Sequence, residues 1–200
     1  MCDAGSGEGL LVVMSAPSGA GKGTLRRALI DDHPEIVFCP SVTTRQARPG
    51  ERDGVDYHFV GVSEFEEMVV AGRFAEWARV YGNLYGTPRE TLDNLLASGV
   101  TVLVEKDVQG AIALKRLYPE GIYVFVLPPS FEELKRRMRA RGTETEADVE
   151  RRLESYPGEL QYVGQYDYVI VNEDLGRAKK DLEAIILGER ARRCGCRAGS

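Results

Sequence analysis

A single glycine-rich turn constrains this chain more than any other feature. Residues 14–24 read MSAPSGAGKGT, directly after the apolar run LLVV at 10–13, and a helical pattern follows in GTLRRALIDDH at 23–33. A turn between a strand and a helix surrounds one point with backbone N–H groups and the positive end of the helix dipole, which suits a phosphate. The sequence therefore predicts an α/β fold whose first strand leads into an anion-binding loop.

The turn approximates the phosphate-loop pattern G-x-x-x-x-G-K-[ST] and departs from it at both ends. Ala16 replaces the first glycine, and Gly23 replaces the hydroxyl residue that ordinarily binds Mg²⁺. Ala16 is a mild change because backbone groups further along make the phosphate contacts, whereas Gly23 makes Thr24 the candidate metal ligand. An ordinary turn with a surface lysine at Lys22 is the alternative. The predicted ATP-binding residues are Ala16, Pro17, Ser18, Gly19, Ala20, Gly21, Lys22, Gly23 and Thr24.

Strand and helix patterns alternate along most of the chain. Continuous apolar runs predict strands that are covered on both faces, and they lie at 10–15, 36–39, 100–105, 122–127 and 168–172. Helical patterns lie at 23–33, 63–72, 88–99, 131–142 and 175–193, the second opening on a capping pattern at Ser63. Alternation of this kind predicts right-handed βαβ units around a parallel sheet. We expect a three-layer core formed by 1–39 and 91–200, an inserted lobe at 40–90 and a charged, mobile lid at about 138–160.

Composition excludes several classes of function. A net charge of −5 argues against a general nucleic-acid binder, and no run of 18 apolar residues predicts a membrane span. The N-terminus lacks the pattern of a signal peptide. The four cysteines form no C-x-x-C pair, so reduced thiols in a cytoplasmic protein are expected, and the tail sequence CGC has too few ligands for a structural zinc site.

The lobe at 40–90 carries the residues for a second ligand. In SVTTRQARPGERDGVDYHFV at 41–60, Arg45 and Arg48 lie three residues apart and predict a clamp for a second phosphate. In FAEWARVYGNLYGT at 74–87, Glu76 lies on an otherwise apolar stretch. A carboxylate there can accept the adjacent N1–H and N2–H of guanine, a pair that adenine does not offer. For Glu76 alone, a solvated charge at a helix end is an equally good interpretation.

The lid sequence is rich in arginine. Arg137 and Arg141 are one helical turn apart, and overlapping capping boxes at 143–146 and 145–148 predict that a second lid helix, which carries Arg152, begins there. A solvated, charged helix is the alternative for this segment. Proline inside a helix removes a hydrogen bond and clashes with the preceding turn. We therefore expect Pro157 to end or kink the second lid helix near Ser155.

Together, five motifs resemble those of guanylate kinases, in the right order and over about residues 10–190. They read APSGAGKGT, SVTTRQARPGERDGVDYHFV, FAEWARVYGNLYGT, VEKDVQGA and RARGTETE followed by RRLE. The resemblance implies a P-loop NTPase fold and reversible, Mg²⁺-dependent transfer of the γ-phosphoryl group of ATP to GMP, with dGMP also accepted. It further implies a monomer or small homo-oligomer that binds neither nucleic acid nor membrane. Two rivals remain: an inactive guanylate-kinase-like module that binds proteins, and a kinase for another nucleoside monophosphate.

The resemblance also assigns site residues. Positions that match the GMP site are Ser41, Arg45, Arg48, Tyr57, Glu76, Tyr85, Gly86, Thr87 and Asp107. Positions that match groups around ATP are Arg137 and Asn172, although an Asx turn explains Asn172 equally well. Those that would stabilise the transferring phosphoryl group are Lys22, Arg48, Arg141 and Arg152. The metal would be held by Thr24 and, through water, by Glu105.

Overall fold

The structure is a computed structural model of the 200-residue chain, and it describes residues 9–140, 142 and 145–195. Arg141, Thr143 and Glu144 in the lid and residues at both termini lie outside the described part. No helix among the described residues is long and apolar enough to cross a membrane. Cys39 is buried and has a free thiol.

Five parallel strands form the core sheet, as the apolar runs predict. In chain order they are β1 (Leu10–Ser15), β2 (Ile36–Phe38), β7 (Thr101–Lys106), β8 (Ile122–Leu127) and β9 (Tyr168–Val171). Their order across the sheet is β2-β7-β1-β8-β9, and each neighbouring pair is parallel. The carboxyl ends of all five strands therefore meet at one edge, where open α/β sheets bind their ligands.

Helices cover both faces of this sheet. They are α1 (Lys22–Asp32), α3 (Arg89–Ala97), α4 (Val108–Leu117) and α7 (Leu175–Gly195). Successive residues of β1 point to opposite layers: Val12 packs in a buried cluster with Leu25 of α1 and Leu182 of α7, whereas Val13 packs in another with Leu92 of α3 and Leu114 of α4. This two-sided burial explains why the strand sequences are apolar throughout, and it confirms the three-layer α/β core.

The segment at 40–90 folds as a second, mixed sheet with one helix. Its elements are β3 (Ser41–Thr43), β4 (Tyr57–Phe59), α2 (Val62–Val70), β5 (Phe74–Val80) and β6 (Asn83–Pro88). The strand order is β4-β3-β6-β5, and Phe65 stacks on Phe74 in a small apolar core of its own. The domain boundaries stay a prediction, but this sheet lies where an inserted lobe is expected.

The lid consists of α5 (Phe131–Ala140) and α6 (Glu146–Leu160), which bury an apolar cluster between them. Thr145 is the N-cap of α6, and its hydroxyl accepts a hydrogen bond from the Asp148 amide, which confirms the second capping box. The first box includes Thr143, outside the described residues. Of the two alternatives for Pro157, an end of the helix near Ser155 is wrong, because α6 continues through Pro157 to Leu160, while a kink there stays a prediction. Contact of Tyr156 with Phe131 and burial of Leu153 offset the hydrogen bond that proline removes.

Two helices differ from the sequence prediction. Helix α2 begins at Val62 after Gly61 and has no side-chain cap, so Ser63 lies inside the helix and does not cap it. Helix α4 was not predicted, because it follows β7 after the single residue Asp107 and no glycine or proline marks its start. Asp107 is the N-cap of that helix.

Candidate active site

The glycine loop joins the carboxyl end of β1 to the first turn of α1. Gly19 and Gly21 have φ angles of 88° and 91°, which L side chains rarely adopt. A Cβ on Gly19 would lie 2.5 Å from Met138 Cγ, and a Cβ on Gly21 would lie 2.4 Å from Asn172 Nδ2. Both glycines are therefore required for the loop to fold tightly against α5 and the end of β9.

Asn172 and Arg137 form the wall behind this loop. The Asn172 amide nitrogen donates to the Ala20 carbonyl oxygen over 2.7 Å, and Arg137 Nη1 donates to the Asn172 carbonyl oxygen over 3.0 Å. Arg137 is also paired with Glu133 through its Nε. Both residues therefore support the glycine loop. The side chain of Asn172 is directed to the loop backbone and does not form a local Asx turn.

Lys22 is the first residue of α1 and faces the cavity. Its Nζ donates to the Lys106 carbonyl oxygen over 2.9 Å. Burial lowers the pKa of the Lys22 ammonium, and the nearby Glu105 and Asp107 carboxylates oppose that shift. The lysine is thus anchored at the end of β7, next to the central strand β1, and its ammonium lies near two carboxylates that oppose the effect of burial.

The second lid helix reaches back to the same loop. Arg152 Nη1 donates to Ser18 Oγ over 2.7 Å, and its guanidinium lies 4.8 Å from the centre of the Tyr81 ring. The Tyr81 hydroxyl lies 2.6 Å from Ser155 Oγ, so α6 also touches the turn between β5 and β6. The lid therefore brings the Arg152 guanidinium onto the glycine loop, whereas Arg141 lies outside the described residues. Their predicted roles in phosphoryl transfer stay predictions.

An arginine–tyrosine cluster lines the lobe side of the cavity. Arg45 Nη2 lies 2.9 Å from each carboxylate oxygen of Glu51, which also accepts from the Arg48 amide over 2.8 Å. The Tyr57 ring lies under the Arg45 guanidinium and meets Tyr85 edge to face. Burial raises the pKa of the Tyr57 phenol, so it stays a hydrogen-bond donor at neutral pH. The cluster offers cations and hydroxyl donors to an anion.

Sequence reasoning missed Glu51. The only signal was its position in RPGERDG, six residues after Arg45 and three after Arg48. Its carboxylate links the Arg45 guanidinium to the Arg48 backbone, and so fixes the loop that holds both arginines. We interpret Glu51 as a residue that positions this cluster.

Buried polar groups form a pocket at the inner end of the lobe. Glu76 Oε1 accepts from Thr87 Oγ1 over 2.5 Å and pairs with Lys106 Nζ over 2.9 Å, and the same Nζ donates to Ser41 Oγ over 2.7 Å. Thr87 has no exposed surface, so it reaches the cavity only through Glu76. A Cβ on Gly86 would lie 2.6 Å from the Phe74 ring, which explains the glycine there by packing.

Glu105 and Asp107, at the end of β7, both line the cavity. Glu105 Oε1 accepts from Arg26 Nε over 3.1 Å, and Arg26 Nη2 donates to Asp56 Oδ1 of the lobe over 2.6 Å. Asp107 Oδ1 accepts from the Gly110 amide. The hydrogen bonds to Arg26 and Arg27 keep the pKa of Asp56 well below its usual range, although burial opposes them, so this bridge between lobe and core is ionised at neutral pH.

Oxygen ligands for a divalent cation are few but present. Thr24 is exposed on the first turn of α1, and a Cβ on Gly23 would still lie 3.9 Å from Glu105 Oε1. Within the described ranges no three His, Cys, Asp or Glu residues cluster as a metal site. The hard oxygen donors fit Mg²⁺, which keeps much of its water shell and needs few protein ligands.

One cavity of about 590 Å³ lies between the core, the lobe and the lid. Its lining includes residues of the glycine loop and of the arginine–tyrosine cluster, together with Ser41, Glu76, Glu105, Lys106, Asp107 and Arg152, whereas Thr87, Arg137 and Asn172 do not line it. The glycine loop and the arginine–tyrosine cluster, the two regions suited to bind anions, both line this single space. A site of this form belongs to a P-loop phosphotransferase that brings a donor and an acceptor nucleotide together, which is the class of nucleoside monophosphate kinases.

Comparison with known proteins narrows the class. Residues 8–189 match the family model described as guanylate kinase. The chain is 50% identical over 185 residues to guanylate kinase of Symbiobacterium thermophilum, covering 92% of this chain and 88% of that protein. It is 50% identical over 190 residues to guanylate kinase of Syntrophotalea carbinolica, covering 95% and 88%. The crystal structure of guanylate kinase from Anaplasma phagocytophilum matches with a TM-score of 0.78 and 35% identity, covering 94% and 89% of the two chains. The chain therefore belongs to the guanylate kinase family.

Proposed function

We propose that this protein transfers the γ-phosphoryl group of ATP to GMP, and also to dGMP, in a reversible reaction that requires Mg²⁺. The observation that carries the proposal is the single cavity in which Lys22 and the glycine loop face the cluster of Arg45, Arg48 and Tyr57. Two anion-binding regions suit two phosphorylated substrates, and the intact loop lysine favours catalysis over an inactive binding module.

Each region has a separate task in the proposed reaction. The glycine loop and Lys22 hold the phosphates of ATP, whereas Arg45, Tyr57 and Tyr85 hold the phosphate of GMP as an anionic nucleophile that needs no general base. Phosphoryl transfer depends on in-line positioning and on neutralising charge on the equatorial oxygens. Arg48, Arg141 and Arg152 would supply that charge. Thr24 and, through water, Glu105 would hold Mg²⁺, which when bound would supply positive charge to the phosphates of ATP.

Closure of the lid prevents wasteful hydrolysis in this scheme. Helix α6 contacts Ser18 of the glycine loop and Tyr81 of the lobe, and these contacts would support a closed lid. Exclusion of water matters because water would otherwise accept the phosphoryl group. A cytoplasmic location and a monomeric or small homo-oligomeric state stay predictions from the sequence.

The test is a coupled assay of ADP release with GMP, dGMP, AMP, UMP and CMP as acceptors. We expect turnover with GMP and dGMP, and much slower turnover with the other three. Preference for another base would reassign the substrate, while inactivity with all five acceptors would favour the binding module. Omission of Mg²⁺ should abolish the activity.

A further inference from the structure

Lys106 is the one buried lysine side chain in the base pocket, among the described residues, and the proposed function leaves it without a role. It lies at the end of β7, and only 5% of its surface is exposed. Its carbonyl oxygen accepts from Lys22, while its Nζ contacts Ser41 and Glu76. A buried ion pair is costly to desolvate and adds little stability over apolar packing, so the choice of lysine calls for a functional reason.

The hydrogen bonds of Glu76 show what the lysine does to its partner. A carboxylate oxygen has two lone-pair sites, and Thr87 and Lys106 contact the same oxygen, Oε1. Guanine that binds to both carboxylate oxygens needs one lone pair on each. One donor must therefore leave Oε1 when the base enters, and Lys106 is the candidate because it lines the cavity whereas Thr87 has no exposed surface.

The order of atoms across the pocket matches the edge of guanine. The pocket presents two acceptors and a donor in sequence: Glu76 Oε2, Glu76 Oε1 and Lys106 Nζ, with 2.9 Å between Oε1 and Nζ. Guanine presents N2–H, N1–H and O6, a row of donor, donor and acceptor. Adenine presents an N6 amino donor in place of O6, and its N1 is an acceptor where the N1 of guanine is a donor. Adenine would therefore place a donor against the donor Nζ and an acceptor against the acceptor Oε1.

Space in the pocket favours this row. Gly110 of α4 lies behind it, and a Cβ there would come within 3.0 Å of Glu76 Oε2 and 3.2 Å of Lys106 Cδ. Absence of that side chain leaves room for the carboxylate and for the lysine stem. The ammonium carries three N–H donors, and the structure records two acceptors for it within the part of the chain that is described.

We infer that Lys106 is a specificity-determining residue: on GMP binding its ammonium moves from Glu76 Oε1 to guanine O6, and so completes a three-point reading of the base together with Glu76. Ser41 guides this movement because its hydroxyl holds the same ammonium. The inference rests on the proposed function for the identity of the base. It explains why a cation lies beside the guanine-binding carboxylate.

The test compares Lys106→Met with the unchanged protein for binding and turnover of GMP, IMP and the 6-thio analogue of GMP. IMP keeps O6 but lacks the 2-amino group, whereas the thio analogue keeps both N–H donors but replaces O6 by sulfur, a weak acceptor. We expect the methionine variant to lose about 10- to 100-fold in kcat/KM for GMP and for IMP, the range for a hydrogen bond to a charged group. Its loss with the thio analogue should be far smaller.

A role confined to holding Glu76 gives a different pattern. Both GMP and its thio analogue present N1–H and N2–H to Glu76, so loss of a mere support would weaken both equally. An unchanged ratio of GMP to thio-analogue affinity in Lys106→Met therefore overturns the inference. Lys115→Met, which removes a lysine paired with Asp167 on the surface, is the matched control and should leave the ratio and the affinities unchanged.

Two further measurements distinguish a failure of the variant to fold from a loss of base recognition. If Lys106→Met does not fold, the comparison is made in a Glu76→Gln background, with and without Lys106→Met, because the amide removes the charge that would be left unpaired. A lower ratio of GMP affinity to thio-analogue affinity in the double variant supports the inference. An equal ratio in the two variants overturns it. Affinities from calorimetry need no turnover. Failure of the unchanged protein to phosphorylate GMP would overturn the proposed function alone, while the calorimetric ratio would still decide the role of Lys106.

Discussion

The phosphate loop and the base pocket lie in one cavity, yet they are built from different parts of the sequence. The loop is a contiguous segment, residues 16–21, and its shape follows from backbone angles that glycine permits. The base pocket draws on β3, β5, β6 and β7, and its geometry follows from hydrogen bonds among buried side chains, with Ser41 and Lys106 separated by 65 positions in the sequence. One region is thus defined by the backbone and the other by side chains.

This difference determines how each region responds to substitution. Backbone amides bind any phosphate chain, so the loop recognises a chemical group that all nucleoside triphosphates share. A pocket of paired side chains reads one pattern of donors and acceptors, and rejects a base that leaves one of its polar groups unpaired. We therefore expect changes in the loop to alter rate or stability and changes in the pocket to alter selectivity.

The largest effect is expected from Lys22→Ala. Removal of a cation that stabilises the transferring phosphoryl group should lower kcat by about a thousandfold. Affinity for GMP should stay within about twofold, because the loop does not contact the acceptor. Measurement of kcat and, by calorimetry, of GMP affinity checks both statements. An equal loss of GMP binding would mean that the two regions are not separate sites.

The next largest effect is expected from Glu76→Gln. The amide keeps the volume and one acceptor but loses the second, so the ratio of kcat/KM for GMP to that for AMP should fall by about a hundredfold. Affinity for inorganic phosphate at the arginine–tyrosine cluster should be retained. Glu64→Gln on α2 is the control. A ratio that stays unchanged would remove Glu76 from base recognition.

These two regions also show what can be predicted from sequence. The loop and the five core strands were predicted because each depends on local pattern: glycine spacing in one case and continuous apolar runs in the other. Helix α4 was missed because only Asp107 separates it from β7 and no glycine or proline marks its start. Helix α6 continues through Pro157 because tertiary packing overrides local propensity. The role of Lys106 depends on contacts across the fold. The role of Glu51 depends on how its loop turns back on Arg45 and Arg48, so the structure is needed to reveal both.

A smaller effect, on stability, is expected from Gly21→Ala. Gly21 has a φ of 91°, and the added Cβ would lie 2.4 Å from Asn172 Nδ2. We therefore expect this variant to be less stable by about 2 kcal/mol. Gly188→Ala is the matched control, because that glycine lies in α7 with nothing within 4 Å of a Cβ and should gain about 0.5 to 1 kcal/mol. Denaturant unfolding measures both. A tolerated alanine at Gly21 would show that the backbone does not fix the loop.

The smallest effect is expected where the two regions are joined through the lid. Tyr81 lies on the turn between β5 and β6, the strands that carry Glu76 and Thr87, and its hydroxyl contacts Ser155 of the lid. Its φ of 47° is the only positive value outside glycine among the described residues, and a strained conformation of this kind persists only where its surroundings hold it.

Tyr81→Phe removes this contact and keeps the ring beneath Arg152. We expect KM for ATP to rise about threefold, the value of one neutral hydrogen bond, because the lid then closes less firmly over the loop. The ratio of kcat/KM for GMP to that for AMP should not change, since the base pocket keeps all its groups. Tyr118→Phe, which removes a hydroxyl bonded to Asp93 far from the lid, controls for loss of a phenol. A change in selectivity as large as the change in KM would show that the turn transmits lid position to the base pocket, so that the backbone-defined and side-chain-defined regions act as one unit.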